Sequence, residues 1–145
     1  MKRTKTDLDG LNRAKRTLTP TEDWEQKQLI QWCRTDPRYQ YLFHIANESV
    51  GGFEWIVRNR QMGCKKGVPD LFYPVPLNGY HGLFIEMKKK HGGTVSAEQK
   101  AWIAALKKFG YRVEVCKGFE EAKKVLSDYV EVRNGDKKEE ANKLN

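Results

Sequence analysis

The chain is short of the residues that build disulfide scaffolds, zinc sites and membrane spans. Its three cysteines, Cys33, Cys64 and Cys116, are an odd number with no C-x-x-C spacing, and no cysteine or histidine pair has metal-ligand spacing. Zinc is therefore not expected, and isolated thiols of this kind usually belong to the core. No apolar run reaches membrane-spanning length, nothing resembles a signal peptide, and no repeat or low-complexity block occurs. The expectation is a soluble, reduced, cytoplasmic protein with no membrane association. Hydrophobic residues make up 39% of the 145 positions, enough for one ordinary core and too few for a second sizeable domain.

Acidic residues are also too few to balance the basic ones. The formal charge is +8 and the pI is about 9.4, which points to a polyanionic partner, most simply nucleic acid, although a basic balance also suits acidic membranes. About half of the excess lies at one end, where Lys2, Arg3, Lys5, Arg13, Lys15 and Arg16 face only Asp7 and Asp9. Residues 1–18 read as a basic arm, disordered until it meets a phosphate backbone. Residues 19–132 read as the folded domain and residues 133–145 as a disordered polar tail.

Gly67-Val68-Pro69-Asp70 followed by Glu86-Met87-Lys88 carries the chemistry. Asp70 opens the apolar run Leu71-Phe72-Tyr73, while Glu86 and Lys88 close the run Leu83-Phe84-Ile85. Residues i and i+2 of a strand share a face, so Glu86 and Lys88 project together, and Asp70 joins them if the two strands are neighbours. Two carboxylates can then hold a hard divalent cation with a lysine beside the reaction centre. An E-x-K triplet alone means little, because the chain has four: Glu25 to Lys27, Glu86 to Lys88, Glu98 to Lys100 and Glu121 to Lys123. Three of these fall in helical segments, where i and i+2 stand about 200° apart and diverge. The ordinary alternatives are a charged strand exit for Glu86 and Lys88 and a turn residue after proline for Asp70.

Thr19-Pro20-Thr21-Glu22 predicts a capping box with proline at the first helical position and a helix to about Arg34. Glu25, Leu29 and Trp32 recur on its inward side. Glu25 is then either a border residue that pairs or snorkels, or a further metal or water ligand. Asp36-Pro37 ends the helix and Tyr39 to Ile45 reads as a strand. Phe53, Ile56, Val57 and Arg60 fit one face of a short helix ending at Gly63. Lys65 and Lys66, in the following loop, either track a phosphate backbone or are merely solvated. Lys89 and Lys90, after the E-x-K triplet, join Arg13, Lys15 and Arg16 as further candidate nucleic-acid contacts. Residues 70–74 and 81–88 read as an antiparallel pair joined through Asn78-Gly79. Ser96 and Gln99 form a second capping box, starting a helix to Lys108 with Gly110 as its stop. Tyr111, Val113 and Val115 alternate as a strand, and residues 119–130 are helical. The crossover helix makes the strand near residue 111 parallel to the one carrying Glu86. The fold class is therefore α/β, a small mixed sheet flanked by helices.

Over residues 21–127 these motifs resemble the PD-(D/E)XK nuclease superfamily, and within it the virus-type replication-repair (VRR-NUC) domain. The likeness rests on the first helix with Glu25, His44-Ile45-Ala46-Asn47-Glu48, Gly67-Val68-Pro69-Asp70, Glu86-Met87-Lys88, and the helix bearing Ser96 and Gln99. Ser49 stands where glycine is expected. The resemblance implies a restriction-endonuclease-like core and Mg²⁺- or Mn²⁺-dependent cleavage of DNA. It implies that Asp70, Glu86 and the Met87 carbonyl ligate the metal, that Lys88 orients or activates the attacking water, and that Glu25 and Gln99 occupy further active-site positions. Gln99 has a second reading as the N3 residue of its capping box. The resemblance further implies branched DNA as substrate and a homodimer. A non-catalytic DNA-binding module and an RNA-cleaving nuclease are the alternatives.

Overall fold

A computed structural model describes residues 20–46 and 51–131. The basic arm with Arg13, Lys15 and Arg16, the residues Thr19 and Asn47 to Ser49, and the polar tail lie outside them. Helices α1 (Glu22–Cys33), α2 (Phe53–Gln61), α3 (Ala97–Lys108) and α4 (Phe119–Val130) surround a sheet of β1 (Phe43–His44), β2 (Leu71–Tyr73), β3 (Leu83–Lys88) and β4 (Arg112–Lys117). The strand order is β1-β2-β3-β4. The first two pairings are antiparallel and the third is parallel, as the hairpin and crossover signals require.

The sheet is covered on both faces, which is why β3 is buried along its whole length. Leu71, Tyr73, Leu83, Ile85, Met87 and Cys116 pack with Leu29 of α1 and Ala122, Leu126 and Tyr129 of α4. On the opposite face Phe84 and Val113 pack with Trp102, Ile103 and Leu106 of α3. Phe72 stacks on Phe84 with ring centroids 4.2 Å apart. The β2–β3 connection turns at Asn78 and Gly79, both at positive φ (54° and 80°), the conformation that Asn-Gly supplies. Tyr129 ties this loop to α4, its hydroxyl donating to Val75 O and accepting from Leu77 N.

Two expectations are corrected. The first helix begins at Glu22, and its N-cap is Thr21, whose hydroxyl accepts from Trp24 N at 3.2 Å. Glu22 is thus the first helical residue and not N3, and its carboxylate accepts from Lys89 N. The segment Tyr39 to Ile45 is mostly not strand. Asp36 caps a 3₁₀ turn, Pro37–Tyr39, Tyr39 stacks on Trp32 at 4.5 Å, and only Phe43 and His44 pair, as an edge strand. Helix α2 has no buried residue: Ile56 and Val57 are half-buried, and Phe53 is exposed.

Glu25 is inward-facing, as its spacing predicts, with only 4% of its surface exposed. Its carboxylate is engaged at the start of α4, just past the end of β4. Oε2 accepts from Phe119 N at 2.7 Å, the first amide of α4, whose own N-cap is Gly118 and supplies no side-chain acceptor. A carboxylate at a helix N-terminus satisfies an orphan donor and complements the macrodipole. Glu25 thus fastens α1 to α4. Substituting it with alanine should cost about 1–2 kcal/mol and lower Tm by several degrees in a thermal melt. An unchanged Tm would contradict this capping role.

Candidate active site

The site is assembled where β2 begins and β3 ends. Gly67 makes this possible, because its φ of +89° turns the loop against the first turn of α3. A Cβ there would stand 2.7 Å from the Glu98 backbone carbon and 2.9 Å from Gln99 N. Buried Pro69 then delivers Asp70 to the start of β2. The register pairs Leu71 with Ile85, so one further step places Asp70 opposite Glu86. Alternation puts Asp70 with Phe72, and Glu86 and Lys88 with Phe84, all on the face covered by α3.

The hydrogen bonds fix these groups. Asp70 Oδ2 accepts from Met87 N at 2.8 Å. Met87 therefore turns its backbone toward β2, whereas Lys88 O faces β4 and accepts from Gly118 N. Since N–H and C=O of a strand residue point to the same side, the Met87 carbonyl is directed past the start of β2. Glu86 is 1% exposed and Lys88 6%, and Lys88 Nζ lies 2.8 Å from Glu86 Oε1. The same oxygen accepts from Gln99 Nε2. Gln99 Oε1 accepts from Ser96 N at 2.9 Å, and Ser96 Oγ accepts from Gln99 N. One amide thus closes the capping box with its oxygen and holds Glu86 with its nitrogen. The capping-box reading of Gln99 is realised, and the same side chain reaches Glu86.

Among the described residues, Asp70 Oδ1 and Glu86 Oε2 have no hydrogen-bond partner. Burial pushes the Asp70 carboxyl above its ordinary range, and the charge of Glu22 adds to that. Burial pushes Glu86 up to about 7, reinforced by the charges of Asp70 and Glu22 and opposed by Lys88. Three carboxylates acting on one another with one lysine among them leave an excess of negative charge, and the spare donors are oxygens. That is the donor set of a hard divalent cation. No cluster of three or more His, Cys, Asp or Glu side chains placed to hold a metal occurs among the described residues. What the site offers is two carboxylates and a backbone carbonyl.

A cleft of about 690 Å³ opens over these groups, bringing Asp70, Glu86, Lys88 and Gln99 together with Glu22, Gln26, His44, Trp55 and Asn59. Glu25 is not among its lining residues. Glu22 and Asp23, in the first turn of α1, are the acids that the helix presents here. His44 Nδ1 lies 3.0 Å from Asp70 O and 3.0 Å from Gln26 Nε2. Of the expected phosphate contacts, Lys65, Lys89 and Lys90 are exposed. Lys66, also exposed, pairs with Glu98 at 3.0 Å.

The VRR-NUC domain model matches residues 20–120. The chain belongs to the VRR-NUC domain family. A solved structure described as a VRR_NUC domain protein is similar, with 30% identity and a TM-score of 0.67, over 77% of this chain and 89% of that one. No curated protein matches. VRR-NUC is a nuclease family, and the mixed sheet and flanking helices described above are its fold. No helix among the described residues is long and apolar enough to cross a membrane.

The raised Glu86 pKa sets a pH dependence for this VRR-NUC domain in the absence of metal. The fold favours protonated Glu86, so its contribution to stability is fully present below the ordinary value of 4.5 and is lost as pH rises through about 7. Glu86→Gln, neutral throughout, should therefore gain stability relative to the wild type across that interval in urea titrations with EDTA. A stability difference that stays constant with pH would contradict the shift.

Proposed function

We propose that this protein is a Mg²⁺- or Mn²⁺-dependent endonuclease that hydrolyses DNA phosphodiester bonds. The observation that carries the reading is the placement of Asp70 opposite Glu86 across β2 and β3, each with an oxygen unpartnered among the described residues, beside the buried Lys88 ammonium. Asp70, Glu86 and the Met87 carbonyl would hold the cation, which when bound neutralises a non-bridging phosphate oxygen and lowers the pKa of a coordinated water. Gln99 keeps Glu86 oriented toward the cleft. Lys88 donates to the phosphate or the attacking water, stabilising charge in the transition state. Lys65, Lys66, Lys89 and Lys90 contribute to binding the flanking backbone, together with Arg13, Lys15 and Arg16 of the basic arm.

A centre of this kind cuts one strand at a time. Branched substrates such as four-way junctions, cut symmetrically, would engage two copies of the chain. The free thiols of Cys33, Cys64 and Cys116 suit a reducing, intracellular place of action, where replication, repair or recombination supplies branched DNA.

Purified protein incubated with labelled flap, fork, junction and linear duplex DNA should cleave only with Mg²⁺ or Mn²⁺ and not with EDTA. Asp70→Ala and Lys88→Ala should each lower the rate by about 10²-fold or more while still binding DNA. Cleavage retained by either variant would overturn the assignment. Steeply salt-dependent binding without metal-dependent nicks would instead mark a DNA-binding module, and cleavage confined to RNA would mark an RNA-processing enzyme.

A further inference from the structure

Helix α2 forms one wall of the cleft and is held there by little apolar packing, having no buried residue. Such a helix is a costly way to expose aromatic surface unless something covers it. Trp55 faces the same cleft as Asp70, Glu86 and Lys88, yet remains 52% exposed. Its indole is not free to swing away on one side. Gly51, at φ +133°, lies so close that a Cβ there would collide with Trp55 Cδ1. Arg58 and Asn59 follow Trp55 at i+3 and i+4 and share its side of the helix. Asn59 lines the cleft, and Arg58 is exposed in the last helical turn. The wall therefore combines a flat π surface, an amide able to pair with a base edge and a cation suited to phosphate.

From this geometry we infer that Trp55 is a base-stacking residue that receives an unpaired nucleobase next to the phosphate held at Asp70, Glu86 and Lys88. The position of that phosphate rests on the nuclease reading above; the stacking surface itself does not. A base inside a continuous duplex has both faces occupied by its neighbours and cannot offer one to an indole. A base at a flap, fork or splayed junction can. The overall positive charge brings DNA of any structure to the protein. Trp55 then discriminates among structures at the cleft, with Arg58 steadying the adjoining phosphate and Asn59 the base edge. Because every base has a π face, the preference is for structure over sequence.

The test is fluorescence anisotropy in EDTA, with labelled single-stranded DNA and a blunt duplex of the same length, using full-length wild type, Trp55→Ala and Trp55→Phe. The alanine variant should bind the single strand about 5- to 150-fold more weakly, the loss expected for removing one aromatic stacking partner. It should bind the duplex within about twofold of wild type, and Trp55→Phe should recover most of the single-strand affinity. Equal losses on both DNAs, no loss on either, a phenylalanine variant as weak as alanine, or a wild type that does not bind single strands would each overturn the inference. So would a fall in oligomer mass for Trp55→Ala with unchanged DNA binding, which would make α2 a contact between copies of the chain. These readouts need no cleavage. A protein without metal-dependent nicking that still shows the single-strand differential would refute the nuclease reading and leave the stacking role standing.

Discussion

One cross-strand register governs the site. Pairing Leu71 with Ile85 puts Asp70 opposite Glu86, and a slip of one residue would send every side chain of β2 to the other face. The register is specified by burial on both sides. Leu71 and Tyr73 must reach the core under α1 and α4, while Phe72 must meet Phe84. Two ionisable groups are thus held together by apolar packing one residue away from them. The same packing desolvates Glu86 and raises its pKa, so the force that builds the sheet also sets the electrostatics of the site.

Around that pair, single groups serve two purposes at once. Gln99 accepts from the Ser96 amide at the start of α3 with its oxygen and restrains Glu86 with its nitrogen, so the helix cannot shift without disturbing the carboxylate. Gly67 lets the loop before Asp70 approach that same helix turn, which sets the distance between β2 and α3. Met87 donates its amide to Asp70 while its side chain is buried in the core. Stability and site geometry are therefore coupled through a few shared contacts instead of being added one on the other.

Much of this was legible in the sequence because the signals were local. The Ser96 and Gln99 box, the Asn-Gly turn and the alternation through Leu83 to Lys88 each report on neighbouring residues, and the crossover rule converts them into a parallel β3–β4 pair. What escaped depended on partners far along the chain. Helical spacing identifies Glu25 as inward-facing but cannot say that its acceptor role is claimed by Phe119, and it gives no hint that Glu22 meets Lys89 N. The aromatic run from Tyr39 looked strand-like, yet Tyr39 is drawn onto Trp32 once Asp36 and Pro37 turn the chain. Helix α2 looked amphipathic and proved to be a wall, because whether an apolar stripe finds a core is a tertiary matter.

Asp70, Glu86 and the Met87 carbonyl are proposed to form one cation site. Anomalous diffraction from crystals soaked in Mn²⁺ addresses it directly. A peak is expected about 2.1 Å from an oxygen of each of the three, lost in Asp70→Ala. A peak elsewhere in the cleft, or none at saturating Mn²⁺, would contradict it.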